Sequence, residues 1–488
     1  MSEQEQSKPR REVMSRVDTA WLRMERPTNL MMITGVMMFD TPLSIEKFKK
    51  VIKQRFLAYP RFRQKAVDTP AGAWWETDED FDLDWHVRLT GLPGKGGKKE
   101  LERLTSHLAS TPLDQTKPLW QFHLVEKYDG GSALISRIHH CYADGIALVQ
   151  VLLSLTDTTR EAKKGSDLDK AWLKSDGENV KKRIGTVDRA MKMGANMWEK
   201  GLDLYRDPSL AGVIAKEGSE IARELAVALS LPDDPPTVLR GRLGVSKRVA
   251  WAEPLDLDEV KAIGRAYDCT VNDVLMASAA GALRSYMIER GESVDGITLR
   301  ATVPVNLRPL EHAKKLGNHF GLVFLELPVG EENPVRRLEH VAENMRQLKS
   351  SRQAIVSFGL LAAMGLAPVG VQRTALELFS RKASAVATNV PGPPLPLYLA
   401  GCQITEQMFW VPQTGSIGIG ISIMSYNNKV YFGLISDAKL LPDPDSVIQR
   451  FRPEFEKLLY AAMMGDWQDT IYSDDVAAYC SEKDLSFL

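Results

Sequence analysis

Between residues 132 and 155 the apolar period of the chain changes from that of a strand to that of a helix, and the change falls on His139-His140-Cys141-Tyr142-Ala143-Asp144-Gly145. The run 132–138 alternates as a half-buried strand does, and residues 145–155 place Ile146, Val149, Leu152 and Leu153 at helical spacing. The motif therefore sits at a strand-to-helix junction, where a rigid sheet can aim two imidazoles into a cleft. An imidazole with an ordinary pKa of about 6.5 suits proton transfer from a hydroxyl. Asp144 could hold the loop or set the tautomer, and Gly145 leaves room beside it. Alone, the pair reads equally well as two structural histidines near a turn.

The remaining residues narrow the class. With 488 residues, 44% of them hydrophobic and 26% charged, the chain is long enough for two cores. Its net charge of -1 offers no overall attraction to nucleic acid or to an anionic membrane, so no nucleic-acid partner is expected. Cys141, Cys269, Cys402 and Cys480 are far apart and include no CxxC pair, which argues against a zinc ribbon and a disulfide framework. No metal and no bound cofactor are expected. The polar start of the chain lacks the apolar core of a secretory signal, and a reducing cytoplasm is the expected setting.

Taken in order, the pattern predicts a strand over 31–39, a helix over 44–59, a strand over 85–89 and a helix over 98–110. A hairpin over 121–138 turns at Asp129-Gly130-Gly131. Residues 161–183 are too charged to be core and read as an exposed crossover, followed by amphipathic stripes through Met191, Met197 and Trp198 and through Ile214, Ile221 and Leu225. A second half starts with a strand over 247–251 and a helix over 257–267. Thr270 then reads as the N-cap of a helix over 271–290, with Asn272 and Asp273 in its first turn. Strands over 299–304, 320–327, 384–390, 416–424 and 430–436 follow, the last two joined at Asn427-Asn428, with helices over 334–349 and 444–461. The uncharged segment 354–371 approaches the length of a membrane span but is broken by Gly359, Gly365, Pro368 and Gly370, so a buried or interface-seated helix is expected there. Strands interleaved with helices and no fixed repeat predict an α/β sandwich of mixed sheets.

The histidine motif, Pro118-Leu119-Trp120, Asn272-Asp273, Pro304-Val305-Asn306, Gly317-Asn318, Asn389-Val390-Pro391-Gly392 and Ser425-Tyr426 with Phe432-Gly433 together resemble the bacterial wax ester synthase/diacylglycerol acyltransferase family over nearly the whole chain. HHxxxDG alone is shared with the wider CoA-dependent acyltransferases and peptide-synthetase condensation domains; the accompanying motifs narrow the likeness. The resemblance implies two chloramphenicol-acetyltransferase-like lobes with the active site in a tunnel between them. On this reading residues 1–158 form the first lobe, 159–246 a charged crossover with amphipathic helices, 247–465 the second lobe and 466–488 an extension.

The same resemblance implies that His140 is the catalytic base, that His139 shapes the loop and that Asp144 braces it through a charge pair. Asn272 is the candidate oxyanion donor, although helix capping explains Asp273 without a functional role. Pro118, Leu119, Trp120, Asn272, Asp273, Asn389 and Ser425 are the expected substrate contacts. Cys141 can be read instead as a nucleophile, but direct transfer does not need one. The implied partners are acyl-CoA as co-substrate, diacylglycerol or a long-chain alcohol as acceptor, and a membrane or lipid-droplet surface touched peripherally. Two other readings stand beside it: a condensation-type transferase fed by a carrier-protein thioester, and a non-catalytic lipid-surface protein.

Overall fold

The computed structural model describes residues 11–70, 72–161, 231–307, 316–350, 353–354, 357–358 and 369–464. The charged crossover, both amphipathic stripes, most of the apolar segment 354–371 and the extension 466–488 lie outside the described residues.

Strand β7 (Gly131–His139) is one residue longer at each end than its alternating pattern predicts, and β2 (Met32–Phe39) and β6 (Trp120–Tyr128) flank it. Met32 pairs with His139 and Trp120 with Ile138, so three strands converge where the histidines emerge. Every residue of β7 is buried, where its alternation suggests one wet face, and β2 is buried throughout, as its apolar run predicts. Both faces are covered: Phe122 of β6 packs on Phe48 and Phe56, while the Thr111 carbonyl lies over Arg137.

This six-stranded sheet continues through β5 (Val87–Thr90) on one side and through β14 (Cys402–Trp410) and β13 (Tyr398–Leu399) on the other, in the order β13-β14-β2-β7-β6-β5. Residues 398–410 thus leave the half of the chain to which the sequence pattern assigns them and pair beside β2. The predicted strand over 85–89 starts at Val87, because Leu83–His86 form a helical turn in which the Asp82 side chain accepts from the Asp84 N–H.

The second sheet has seven strands: β11 (Phe320–Leu327), β10 (Leu299–Asn306), β12 (Ala385–Pro391), β15 (Ile419–Tyr426), β16 (Lys429–Asp437) and β8 (Lys247–Trp251) in that order, with β9 (Leu255–Asp256) beside β16. Asn427 and Asn428 both take positive φ, 49° and 57°, as the tight turn between β15 and β16 requires. A small sheet of β1 (Arg11–Val13), β4 (Gly72–Thr77) and β3 (Gln64–Thr69) has no counterpart among the sequence expectations.

Helix α1 (Arg16–Met24) is also unforeseen; Ser15 caps it by accepting from the Asp18 N–H. Its Val17, Ala20, Trp21 and Met24 face inward at helical spacing. The predicted helix over 44–59 is α2 (Ile45–Val51) extended by a π-helical turn at Ile52–Phe56. Helices α3 (Lys98–Ala109) and α4 (Gly145–Ser154) complete the first half. In the second, α5 (Leu257–Ala266), α7 (Pro334–Ser350) and α9 (Pro444–Met464) surround α6 (Val271–Glu289). Helix α6 is apolar nearly all round, as a helix enclosed on all sides must be. Helix α8 (Val369–Ser380) begins within the last residues of the apolar segment.

Candidate active site

The loop after β7 is held on both sides. The His140 N–H donates to the Met31 carbonyl at 2.7 Å, just before β2 begins, and the Tyr142 N–H donates to the His139 carbonyl. Tyr142 is buried; its hydroxyl donates to the Gln64 carbonyl at 2.6 Å and accepts from the Leu119 N–H at 3.0 Å. From the second half of the chain, Ala143 bridges Gly317, whose φ of +114° favours glycine. Asn318 Nδ2 donates both to the His140 carbonyl and to Asp18 Oδ1, each at 2.8 Å. One asparagine thereby ties the histidine loop to α1.

Asp144 caps α4: its Oδ1 accepts from the Ala147 N–H at 2.9 Å, and its Oδ2 accepts from the His319 N–H at 3.0 Å. Two of its partners are thus backbone N–H groups on separate segments. A Cβ on Gly145 would meet no described atom within 4 Å, so the first turn of α4 is open there.

The two histidines differ. His139 Nδ1 accepts from the Cys141 N–H at 3.1 Å, so its proton sits on Nε2, which lies 3.0 Å from Glu25 Oε2 but off the line of a straight hydrogen bond. Burial would raise the Glu25 carboxyl, but His139 and the Met31 N–H hold it below its ordinary value. Both ring nitrogens of His139 are thus turned to protein groups. His140 is 4% exposed, and burial pushes its pKa down to about 4, against the opposing field of Asp144. Its ring stacks on Trp21 at 4.1 Å between centroids, with Phe320 tilted at 5.6 Å. A neutral imidazole is therefore the form present near neutral pH, which is the form that accepts a proton. Cys141 is fully buried and burial drives its thiol pKa well up, which removes the thiolate that a nucleophile requires.

The other expected contacts fall into two groups. Pro118, Leu119 and Trp120 are buried behind the loop: the Leu119 carbonyl accepts from the His139 N–H, and the Trp120 indole N–H donates to the Phe62 carbonyl. Their contacts brace β7, and Trp120, at 0% exposure, turns no surface toward a ligand. Asn272, Asn389 and Ser425 are half-buried on the second sheet and its central helix. Asn389 Nδ2 donates to Asn272 Oδ1, and Ser425 Oγ accepts from the Gly392 N–H at 3.3 Å. Asp273 is spent in a capping box with Thr270. Among the described residues no hydrogen bond joins Asn272 to the histidine loop.

Sequence reasoning missed Asp18, Trp21 and Glu25 of the first helical segment, and gave Asn318 no role. The stripe of Val17, Ala20, Trp21 and Met24 behind Ser15 could have revealed the helix; nothing in it revealed the stack on His140.

Residues 14–275 match the wax ester synthase/diacylglycerol acyltransferase catalytic domain, and residues 316–459 match the WS/DGAT C-terminal domain. A protein of Mycobacterium tuberculosis strain H37Rv that bears the name of a diacylglycerol O-acyltransferase is 30% identical over 408 residues, 82% of this chain and 84% of that one. Another so named, from strain CDC 1551, is 28% identical over 475 residues, 92% and 90% of the two chains. The wax ester synthase/diacylglycerol acyltransferase structure from Marinobacter aquaeolei VT8 superposes with a TM-score of 0.64 at 22% identity, over 92% of this chain and 98% of that one. The first condensation domain of the calcium-dependent antibiotic synthetase gives 0.57 at 16% identity, over 93% and 97%. These structural likenesses show the two-lobed α/β fold. The chain belongs to the wax ester synthase/diacylglycerol acyltransferase family and is an O-acyltransferase.

Proposed function

We propose that this enzyme transfers a long-chain fatty acyl group from acyl-CoA to the hydroxyl of diacylglycerol, forming triacylglycerol, and also acylates long-chain alcohols to wax esters. The observation that carries the reading is His140, a buried histidine at a sheet end whose pKa is depressed to about 4. The imidazole takes the acceptor's hydroxyl proton as its oxygen attacks the thioester carbon. When the tetrahedral intermediate collapses, the C–S bond breaks and the proton passes to the leaving thiolate. No acyl-enzyme forms. The developing oxyanion needs a donor, a role proposed for the Asn272 amide, whose carbonyl oxygen Asn389 engages. Ser425 and Asn389 are the other polar side chains proposed to meet substrate. The starter condensation domain of rhizomide synthetase, which superposes with a TM-score of 0.56 at 13% identity, is described in complex with C8-CoA, in keeping with an acyl-CoA donor here.

Diacylglycerol stays in the lipid phase, so the enzyme is proposed to work as a cytoplasmic protein held peripherally on membrane or lipid droplets. Among the described residues no helix is long and apolar enough to cross a membrane. Release by carbonate or high salt is the expected fractionation; a pellet that yields only to detergent would contradict it. The chemistry is tested by incubating the purified chain with acyl-CoA and each acceptor and separating products by thin-layer chromatography. His140→Ala is expected to lower turnover by roughly 10²–10⁴-fold with the fold retained by circular dichroism. Turnover retained in that variant would remove His140 as the base.

A further inference from the structure

A base that must take a proton from one substrate and hand it to another needs a fixed ring plane. In His140, Nδ1 is buried and makes no hydrogen bond of ordinary geometry. Asn318 and the residue's own backbone lie close enough to favour the protonated ring, and the Asn318 hydrogen bond goes to the His140 backbone carbonyl. What meets the imidazole face to face is Trp21, at 4.1 Å between centroids and 20° between planes. Trp21 is itself held: it is 4% exposed, on a helix capped by Ser15 and tied through Asp18 to Asn318. Phe320 closes the group from the other half of the chain, 5.7 Å from Trp21 and 5.6 Å from His140.

We propose that Trp21 is a positioning residue for the catalytic base, its indole face setting the plane of the His140 imidazole and receiving the charge that the ring gains in the transition state. The inference rests on the reading of His140 as that base. A stacked ring pair restrains rotation about the last side-chain bond of the histidine, which sets the direction of its proton-accepting nitrogen. A cation over an indole face is favoured, the more so where water is excluded, so the stack offsets part of the cost of charging a buried imidazole. A contact that acts on the ring of the base rather than on substrate shows its loss in kcat.

The test compares Trp21→Met, which keeps apolar bulk without a ring, and Trp21→Phe, which keeps a ring face, in steady-state kinetics with acyl-CoA and a dispersed acceptor. The Met variant is expected to lose roughly 10- to 100-fold in kcat with both KM values within about threefold, and the Phe variant to recover most of that loss. Full kcat in Trp21→Met overturns the proposal, as does a Phe variant as slow as the Met one. If circular dichroism shows that Trp21→Met does not fold, the Phe variant decides: near-normal kcat supports the stack, and a tenfold or greater loss with an unchanged melting temperature overturns it. His140→Ala is run alongside. Turnover surviving there defeats the base and the stack together, whereas an inactive His140→Ala with a fully active Trp21→Met defeats only the stack.

Discussion

His140 and Asp18 lie on either side of Asn318, and their pKa values move in opposite directions for one reason, burial, which favours the neutral form of each. For His140 the neutral form is favoured down to about pH 4. The acid limb of the kcat profile should therefore fall well below the 6.5 of an ordinary histidine, provided circular dichroism shows the fold intact; a limb at 6.5 would contradict the buried environment. Asp18 is raised to about 6, chiefly by burial. Its folded pKa exceeds its unfolded one, so its contribution is fully present below about pH 4 and is lost as pH rises through 6. Asp18→Asn should accordingly stabilise the protein by roughly 1–3 kcal/mol at pH 8 and by little at pH 4, measured as urea midpoints at the two pH values. Equal effects at both would show that Asp18 titrates normally.

Helix α4 depends on Asp144 twice, through its own cap and through the His319 N–H of the facing segment. Asp144→Ala should cost about 1 kcal/mol for the cap and about 1–3 kcal/mol for the stranded N–H, with a fall in kcat as the loop loosens. Loss of activity with no change in urea midpoint would disprove this bracing role. In the second half, α6 passes so close to the buried Arg337–Glu454 pair that a Cβ on Gly281 would lie 2.2 Å from Glu454 Oε2 and 2.5 Å from Arg337 Nη2. Gly281→Ala has to displace one partner and should destabilise by about 3 kcal/mol or more. A melting temperature unchanged by that substitution would rule out the crowding.

The two halves are joined by buried polar contacts as well as by β13 and β14, which the second half adds to the first sheet. Lys247 Nζ donates to Asn29 Oδ1 at 3.0 Å and to Asp437 Oδ2 at 3.2 Å, and Asn29 Nδ2 donates to the Gly415 carbonyl. Burial lowers the Lys247 pKa although Asp437 opposes it. Lys247→Met would leave the buried Asp437 carboxylate without its cation and with only the Gly244 and Lys439 N–H donors among the described residues, and breaking a buried pair in this way costs about 3–5 kcal/mol. Because the contact spans both halves, calorimetry should show one cooperative transition at lower temperature; an unshifted transition would mean that the pair contributes nothing.

Local physics made much of this legible in the sequence. The period change at 139–145, the turn residues at Asp129-Gly130 and Asn427-Asn428, and the Thr270 cap each determine backbone over a few residues, and each lies where the pattern placed it. The motif order was enough to indicate the family and the acyl transfer, because a histidine carries proton-transfer chemistry in its own ring. Other features depend on contacts across hundreds of residues: the Cys402–Trp410 strand beside β2, Trp21 against His140, and Asn318 binding two distant segments. A residue's propensity does not encode its partner, so Trp21 reads as core whether it packs on a leucine or on the His140 imidazole. Burial of Trp120 is of the same kind. Sequence determined the family motif and the imidazole at its centre, and tertiary structure alone decided which side chains meet that ring, because desolvation and ring stacking arise only when separate segments close on one another.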